Sequence, residues 1–250
     1  MKENSIASDF LKKVETILET VARDEAERLD AAAETIAAAY LAHGKIYIFG
    51  CTHSAIMAED VFYRAGAPGF WQPLWGPGMS IATTPGVLSS AVEKNGELGR
   101  SIVECSCLAP GDVILVVSTS GKNGAPLGVA DAALKRGAKL LAITSSNYRK
   151  RAGNYPGIAN LWSFEDRGVI IDNHVPEGDA AITAGGVPMG PVSTIVGSYI
   201  MQVLSAMAVD KIVAAGAEPP VFLSSNAPGG LEHNTKLMNQ AEMRAKFMMP

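Results

Sequence analysis

The sequence is poor in charge and in cysteine, and it has no surplus of cations. Each shortage excludes something. Asp, Glu, Lys and Arg make up 18% of the 250 residues, against roughly a quarter in ordinary soluble domains. So thin a charge suggests that a second copy of the chain covers part of the surface. Lys and Arg number 21 and Asp and Glu 25, a net charge of −4. With no cationic surplus to displace phosphate counterions, nucleic acid is excluded as the principal ligand. The three cysteines, Cys51, Cys105 and Cys107, are an odd number. That fits a reducing cytoplasm better than a disulfide framework. Met1-Lys2-Glu3-Asn4 leads into no apolar core, so no signal peptide is expected. One uncharged run, Val192 to Val209, barely reaches the ~18 residues of a membrane span. It holds Ser193, Thr194, Ser198, Gln202 and Ser205, and it reads as a buried helix rather than a membrane segment. The chain carries no G-x-x-x-x-G-K-[ST], G-x-G-x-x-G, H-x-x-x-H or C-x-x-C. A P-loop, a dinucleotide fold, a metal centre and a cofactor are therefore not expected.

The apolar content, 48%, excludes a disordered chain. Phe10, Val14, Ile17, Leu18 and Val21 recur at helical spacing, and Leu29 to Leu41 is a second, alanine-rich helical run. The period then changes. Ile46–Phe49, Ile114–Val117, Leu140–Ile143 and Val169–Ile171 are short runs that are apolar throughout, as parallel strands covered on both faces are. Helical segments fall between them, over Ser54–Arg64, Leu98–Leu108 and Ala125–Arg136, with Gly137 closing the last. The alternation predicts a three-layer α/β sandwich. Residues 1–43 form an N-terminal helical arm, residues 44–250 one folding unit, and residues 67–97, rich in Gly and Pro, irregular loops.

In an open parallel sheet, ligands bind beyond the carboxyl ends of the strands. Gly50-Cys51-Thr52-His53-Ser54 follows the first strand, Ser118-Thr119-Ser120-Gly121-Lys122-Asn123 the second, and Thr144-Ser145 the third. Hydroxyls at a helix N-terminus suit a phosphate, and Gly121 permits close backbone approach. The same residues also serve as ordinary helix caps, and both readings stand.

Ser118 to Asn123 resembles the S-x-S-G-x-[TN] phosphosugar loop of sugar isomerase (SIS) domains, and Phe49 to Ser54 resembles their first loop, with Thr52 where a second glycine is common. Ala58–Gly66, Ile171–His174 with Gly178–Ala180, Pro220–Asn226 and Gly229–Asn234 resemble SIS-domain proteins of undefined substrate. The resemblance to phosphoheptose isomerases and N-acetylmuramic acid 6-phosphate etherases is more distant. It implies a flavodoxin-like five-stranded parallel sheet, dimers or tetramers with sites near the subunit interface, and a sugar phosphate ligand.

Isomerisation needs a base that moves a proton between C1 and C2. Glu59, five residues past Ser54, suits it; a solvated carboxylate paired with Arg64 is the alternative. In phosphoheptose isomerases the matching glutamate lies about one turn further on. His53 falls within the first loop, and His233 resembles the histidine that SIS enzymes recruit for ring opening. The candidate set is Thr52, His53, Ser54, Ser118, Thr119, Ser120, Gly121, Lys122, Asn123 and Ser145 for binding, with Glu59 and His233 for catalysis. A lyase, or a phosphosugar sensor without turnover, fits the same loops. Cys105 and Cys107 fall inside an expected helix and read as packing residues.

Overall fold

A strand that is apolar on every side chain has no face to offer water, so the sheet it joins must be covered twice. The computed structural model describes residues 5–240 and 243. In chain order the elements are α1 (Ser5–Asp24), α2 (Ala26–Leu41), β1 (Ile46–Gly50), α3 (Ala55–Val61), β2 (Trp71–Pro73), α4 (Gly86–Glu93) and α5 (Gly96–Glu104). Then come β3 (Val113–Val117), α6 (Gly124–Lys135), β4 (Lys139–Thr144), β5 (Gly168–Asp172), β6 (Ile182–Ala184), β7 (Val187–Met189), α7 (Ser193–Ala214) and α8 (Gly230–Met238). Five strands pair in parallel in the order β2-β1-β3-β4-β5, the flavodoxin-like arrangement. β6 and β7 form a separate antiparallel hairpin.

Alternate side chains of each strand enter different cores. Ile46, Ile48, Val113, Leu115, Leu141 and Ile171 join a cluster with Val14 and Val21 of α1, Ile36 of α2 and Ile200 of α7. Tyr47, Phe49, Ile114, Val116, Leu140 and Ile170 join the opposite cluster with Leu127 and Val129 of α6 and with Trp162 and Phe164. The result is a three-layer sandwich. The N-terminal helical arm lies in one outer layer and shares that core. α7 is long and apolar enough to cross a membrane by length and composition alone. Here it covers the sheet beside α2 and α3. The indole Nε1 of Trp71 donates to Ser205 Oγ on α7 at 2.8 Å.

Three expectations are corrected. Residues 67–97 are not merely loops, for they hold β2, α4 and the start of α5. β2 escaped notice because it is three residues long and ends in Pro73, which an edge strand tolerates. Likewise, α5 stops at Glu104 rather than Leu108. Ser106 Oγ donates back to Val103 O at 2.7 Å and accepts from Leu108 N–H at 3.2 Å, and Arg136 Nη1 holds Val103 O at 2.6 Å. These bonds use the carbonyls that another turn would need. Cys105 and Cys107 therefore lie outside the helix and exposed, not packed, while Cys51 is buried. Burial pushes the Cys51 thiol up to about 12, with Glu93 adding to the effect.

Two tests follow from the cores. A thiol reagent at pH 8 should modify two cysteines in the native protein and three in denaturant; a third native thiol would contradict the burial of Cys51. Tyr47 Oη is buried with no hydrogen-bond partner among the described residues. Tyr47→Phe should raise unfolding stability by about 1 kcal/mol, measured in urea, because an unsatisfied buried hydroxyl is a net cost. A lower midpoint would show that the hydroxyl is satisfied.

Candidate functional site

β1 and β3 are neighbours, but their crossovers run to opposite sides, to β2 and to β4. That makes the gap beyond them the topological switch point. Gly50 pairs with Val117 in the ladder, so residues 51–54 and 118–123 leave the sheet side by side.

The 118–123 loop is shaped by its own bonds. Ser118 Oγ accepts from Gly121 N–H at 3.3 Å. Gly121 has φ +62°, and a Cβ there would lie 2.5 Å from Thr144 Oγ1, so only glycine fits. Thr119 ties the loop to its neighbours. Its carbonyl accepts from Ser145 N–H at 2.9 Å and from Thr144 Oγ1 at 3.2 Å. Its hydroxyl oxygen accepts from Asn173 Nδ2 at 3.2 Å. Ser145 Oγ is buried and donates to Val175 O at 2.6 Å, so that hydroxyl is already engaged.

Other groups in the loop are not engaged. Asn123 stands at the N-cap of α6, yet its side chain makes no capping bond. Among the described residues, Ser120 Oγ has no hydrogen-bond partner and half-buried Lys122 no ion pair. The backbone N–H groups of Gly124 and Ala125 have no acceptor there either, and Pro126 has no N–H to offer. The helix-cap reading of the hydroxyls holds for Ser145, whose Oγ accepts from Asn147 N–H at 3.2 Å, and not for Ser54, which makes no capping bond to α3.

The first loop is held from the side. Thr52 N–H donates to Met79 O at 2.7 Å, and Thr52 bridges Ser80 in parallel. Thr52 has φ +55°, a strained conformation for a β-branched residue and an easy one for glycine. His53 is exposed. Glu59, also exposed, accepts from Ser80 Oγ at 3.3 Å. Arg64 pairs with Asp60, not with Glu59. The alternative reading, Glu59 paired with Arg64, therefore does not hold.

His233 is not brought to these loops. Its Nε2 lies 2.9 Å from Val221 O. Residues 220–222 run against 66–69, where Gly66 N–H donates to Phe222 O and Gly69 N–H to Pro220 O. That stretch leads into the N-terminal end of β2, so His233 sits at the opposite edge of the sheet. There it lines a cavity of about 790 Å³ with Tyr40, His43, Glu218 and Lys236.

One carboxyl was missed because it lies in the stretch taken for loops. Glu93 ends α4, and its carboxyl lies near the Asn123 amide. Burial raises its pKa, opposed by the neighbouring Asn123 amide and by Lys94. In the sequence it is one acid among many. Only the docking of α4 beside the β3–α6 loop distinguishes it.

A cluster at the end of β5 offers metal-ligating residue types, namely Glu25, Asp172 and His174. Its bonding is that of a staple. Glu25 accepts from Arg28 Nη1 and from Asp172 N–H, each at 3.0 Å. His174 turns Nε2 toward Glu25 at 3.3 Å and Nδ1 toward Asp172 at 3.7 Å. One imidazole facing two carboxylates with its two nitrogens does not converge on a single cation. The staple clips the α1–α2 junction to the edge strand.

The family model described as SIS domain matches residues 9–145. A UPF0309 protein from Geobacillus thermodenitrificans is 37% identical over 247 residues, 96% of each chain. One from Streptomyces griseus is 32% identical over 243 residues, again 96% of each. Among solved structures, phosphoheptose isomerase GmhA from Neisseria gonorrhoeae superposes with a TM-score of 0.53 at 19% identity, over 84% of this chain and 97% of that one. A phosphoheptose isomerase from Francisella tularensis gives 0.51 at 14%, over 86% and 100%. The Vibrio vulnificus NanR protein complexed with ManNAc-6P gives 0.51 at 14% identity, over 94% and 70%. At these identities the structures share the fold.

The raised carboxyl of Glu93 has a consequence for stability. A carboxyl that holds its proton more tightly when folded favours the native state at low pH. That advantage is lost as pH rises past the unfolded value toward the folded one. Glu93→Gln should therefore melt higher than the parent at pH 8 and equal it near pH 4. A variant less stable at pH 8 would mean that the charged form is well accommodated.

Proposed function

The chain belongs to the SIS domain family, and from that premise we propose that it binds a phosphosugar at the C-terminal edge of its sheet and interconverts the aldose and ketose forms. One observation carries the reading. At the switch point, Ser54, Ser120, Lys122 and the N–H groups of Gly124 and Ala125 are donors with no acceptor among the described residues. Donors without acceptors suit a phosphate dianion, and the start of the 12-residue α6 adds its partial positive charge. Ser118, Thr119 and Gly121 hold the loop in shape, Asn123 closes it, and Ser145 supports it from behind. Thr52 and His53 face the sugar. Among solved proteins of this fold, two are phosphoheptose isomerases and one is complexed with ManNAc-6P, which supports the ligand class.

Glu59 then moves the proton. It removes hydrogen from C2 of the aldose, the enediolate forms, and the proton returns at C1. His233 opens the ring or polarises the carbonyl. From the opposite edge it acts on the site of another copy, so a homodimer or tetramer with sites near the subunit boundary belongs to the same reading. Three free cysteines fit a cytoplasmic setting.

Proton NMR in D₂O with sugar phosphates from pentose to heptose and with amino sugars tests it. Deuterium should enter C1 or C2 of one compound. Glu59→Gln should keep binding, read as a ligand-induced rise in Tm, and lose exchange by about 10²–10⁴-fold. Equal exchange in both proteins would end the role of Glu59. Binding with no exchange in the parent would make the protein a sensor. Ser120→Ala should weaken phosphosugar binding about tenfold, as loss of one hydrogen bond to a charged group does. Its own Tm should stay unchanged, since the hydroxyl makes no internal bond.

A further inference from the structure

A serine or threonine hydroxyl carries one hydrogen and two lone pairs, so it accepts from a neighbour as readily as it donates. A phosphate dianion only accepts. A loop that holds one binds it better when its hydroxyls are committed beforehand to donate. At Thr119 that commitment is built in.

The residue that makes it is Asn173, buried one position past β5. Its motif, Ile171–His174, has so far supplied only the staple. Neighbouring residues there face opposite ways. Asp172 N–H and the His174 imidazole turn to Glu25 at the open edge. Asn173 turns across β4. Its N–H donates to Thr144 O at 2.9 Å, which carries the β4–β5 ladder one residue further. Its Oδ1 accepts from Val175 N–H at 3.1 Å. Only the oxygen of an amide can meet an N–H, so the orientation of this amide is settled. The Nδ2 end therefore faces Thr119 Oγ1, at 3.2 Å. An NH₂ group has no lone pair to offer, and Thr119 can only accept there.

The hydrogen of the Thr119 hydroxyl is left over, with no acceptor among the described residues. Since Asn173 occupies the β5 side, that hydrogen turns away from β5. In the order β2-β1-β3-β4-β5, the side of β3 away from β5 is that of β1, where the crevice opens. The Thr119 carbonyl is already held by Ser145 N–H and Thr144 Oγ1, so the residue has no freedom to turn back.

We propose that Asn173 is a positioning residue of the phosphosugar site, one that commits the Thr119 hydroxyl to donate to the phosphate. The proposal rests on the phosphosugar reading above and adds a donor to it. Thr119 is then a support through its two oxygens and a ligand donor through its one hydroxyl hydrogen.

Asn173→Asp tests this, because it keeps the bond and reverses the donor. Val175 N–H still meets an oxygen. The Thr119 hydroxyl now donates to the carboxylate and turns lone pairs to the crevice. The probes are inorganic phosphate and the pentose to heptose phosphates, titrated into the full chain by calorimetry. Asn173→Asp should weaken their binding about thirtyfold and Thr119→Val about tenfold, whereas Thr119→Ser, which keeps the hydroxyl, should stay within about threefold of the parent. The new charge also repels phosphate by itself, and a double-mutant cycle removes that part. In the Thr119→Val background the loss caused by Asn173→Asp should shrink about fivefold or more. A merely structural asparagine would lower Tm and cost the same in both backgrounds. Equal losses, or a Thr119→Val protein that binds as the parent does, would overturn the proposal. Should Asn173→Asp not fold, the contrast between Thr119→Val and Thr119→Ser decides alone. If the proposal fails while Ser120→Ala still weakens binding, the phosphosugar reading stands and the role of Asn173 alone falls. If the parent binds none of the probes, the reading falls and this inference with it.

Discussion

Backbone pairing between β1 and β3, with Gly50 opposite Val117, is the constraint on which the C-terminal edge depends. Both strands are buried on both faces, so neither can offer polar chemistry along its length. Whatever is polar has to follow the last paired residue. Because the two crossovers diverge, the loops leave a crevice between them instead of covering one another. β4 and β5 extend the same logic. Thr119 is tied to Ser145 and to Asn173, which follow their strands. The sheet thus sets the loop's position, and hydrogen bonds from two further strand ends set its shape.

The division of labour among hydroxyls follows from that geometry. Ser118, Thr119 and Ser145 use their side chains internally, whereas Ser54 and Ser120 do not. A run of Ser and Thr at strand ends looks uniform in sequence, yet in space it splits into supports and free donors. The carboxyls split likewise. Asp60 is held by Arg64 and Gln202, while Glu25 and Asp172 are held by the staple across the α1–α2 junction. Glu59 and Glu93 are left near the loops in contrasting surroundings.

The four buried strands were legible because burial on both faces writes an unbroken apolar run. The loops were legible because hydroxyls cluster at their ends. β2 was not, for an edge strand of three residues with a proline leaves no period to read. α4 was hidden by the Gly and Pro around it, and Glu93 with it.

The sequence by itself determined the α/β class, the buried character of α7 and the family resemblance. All of these rest on local pattern, which neighbouring residues carry between them. Only the tertiary structure decided that the turn after α4 packs on the start of α6 and that His233 lies across the sheet from Ser118. Those outcomes depend on which distant segments share a surface. Helix docking against a common sheet settles that, and no spacing along the chain encodes it.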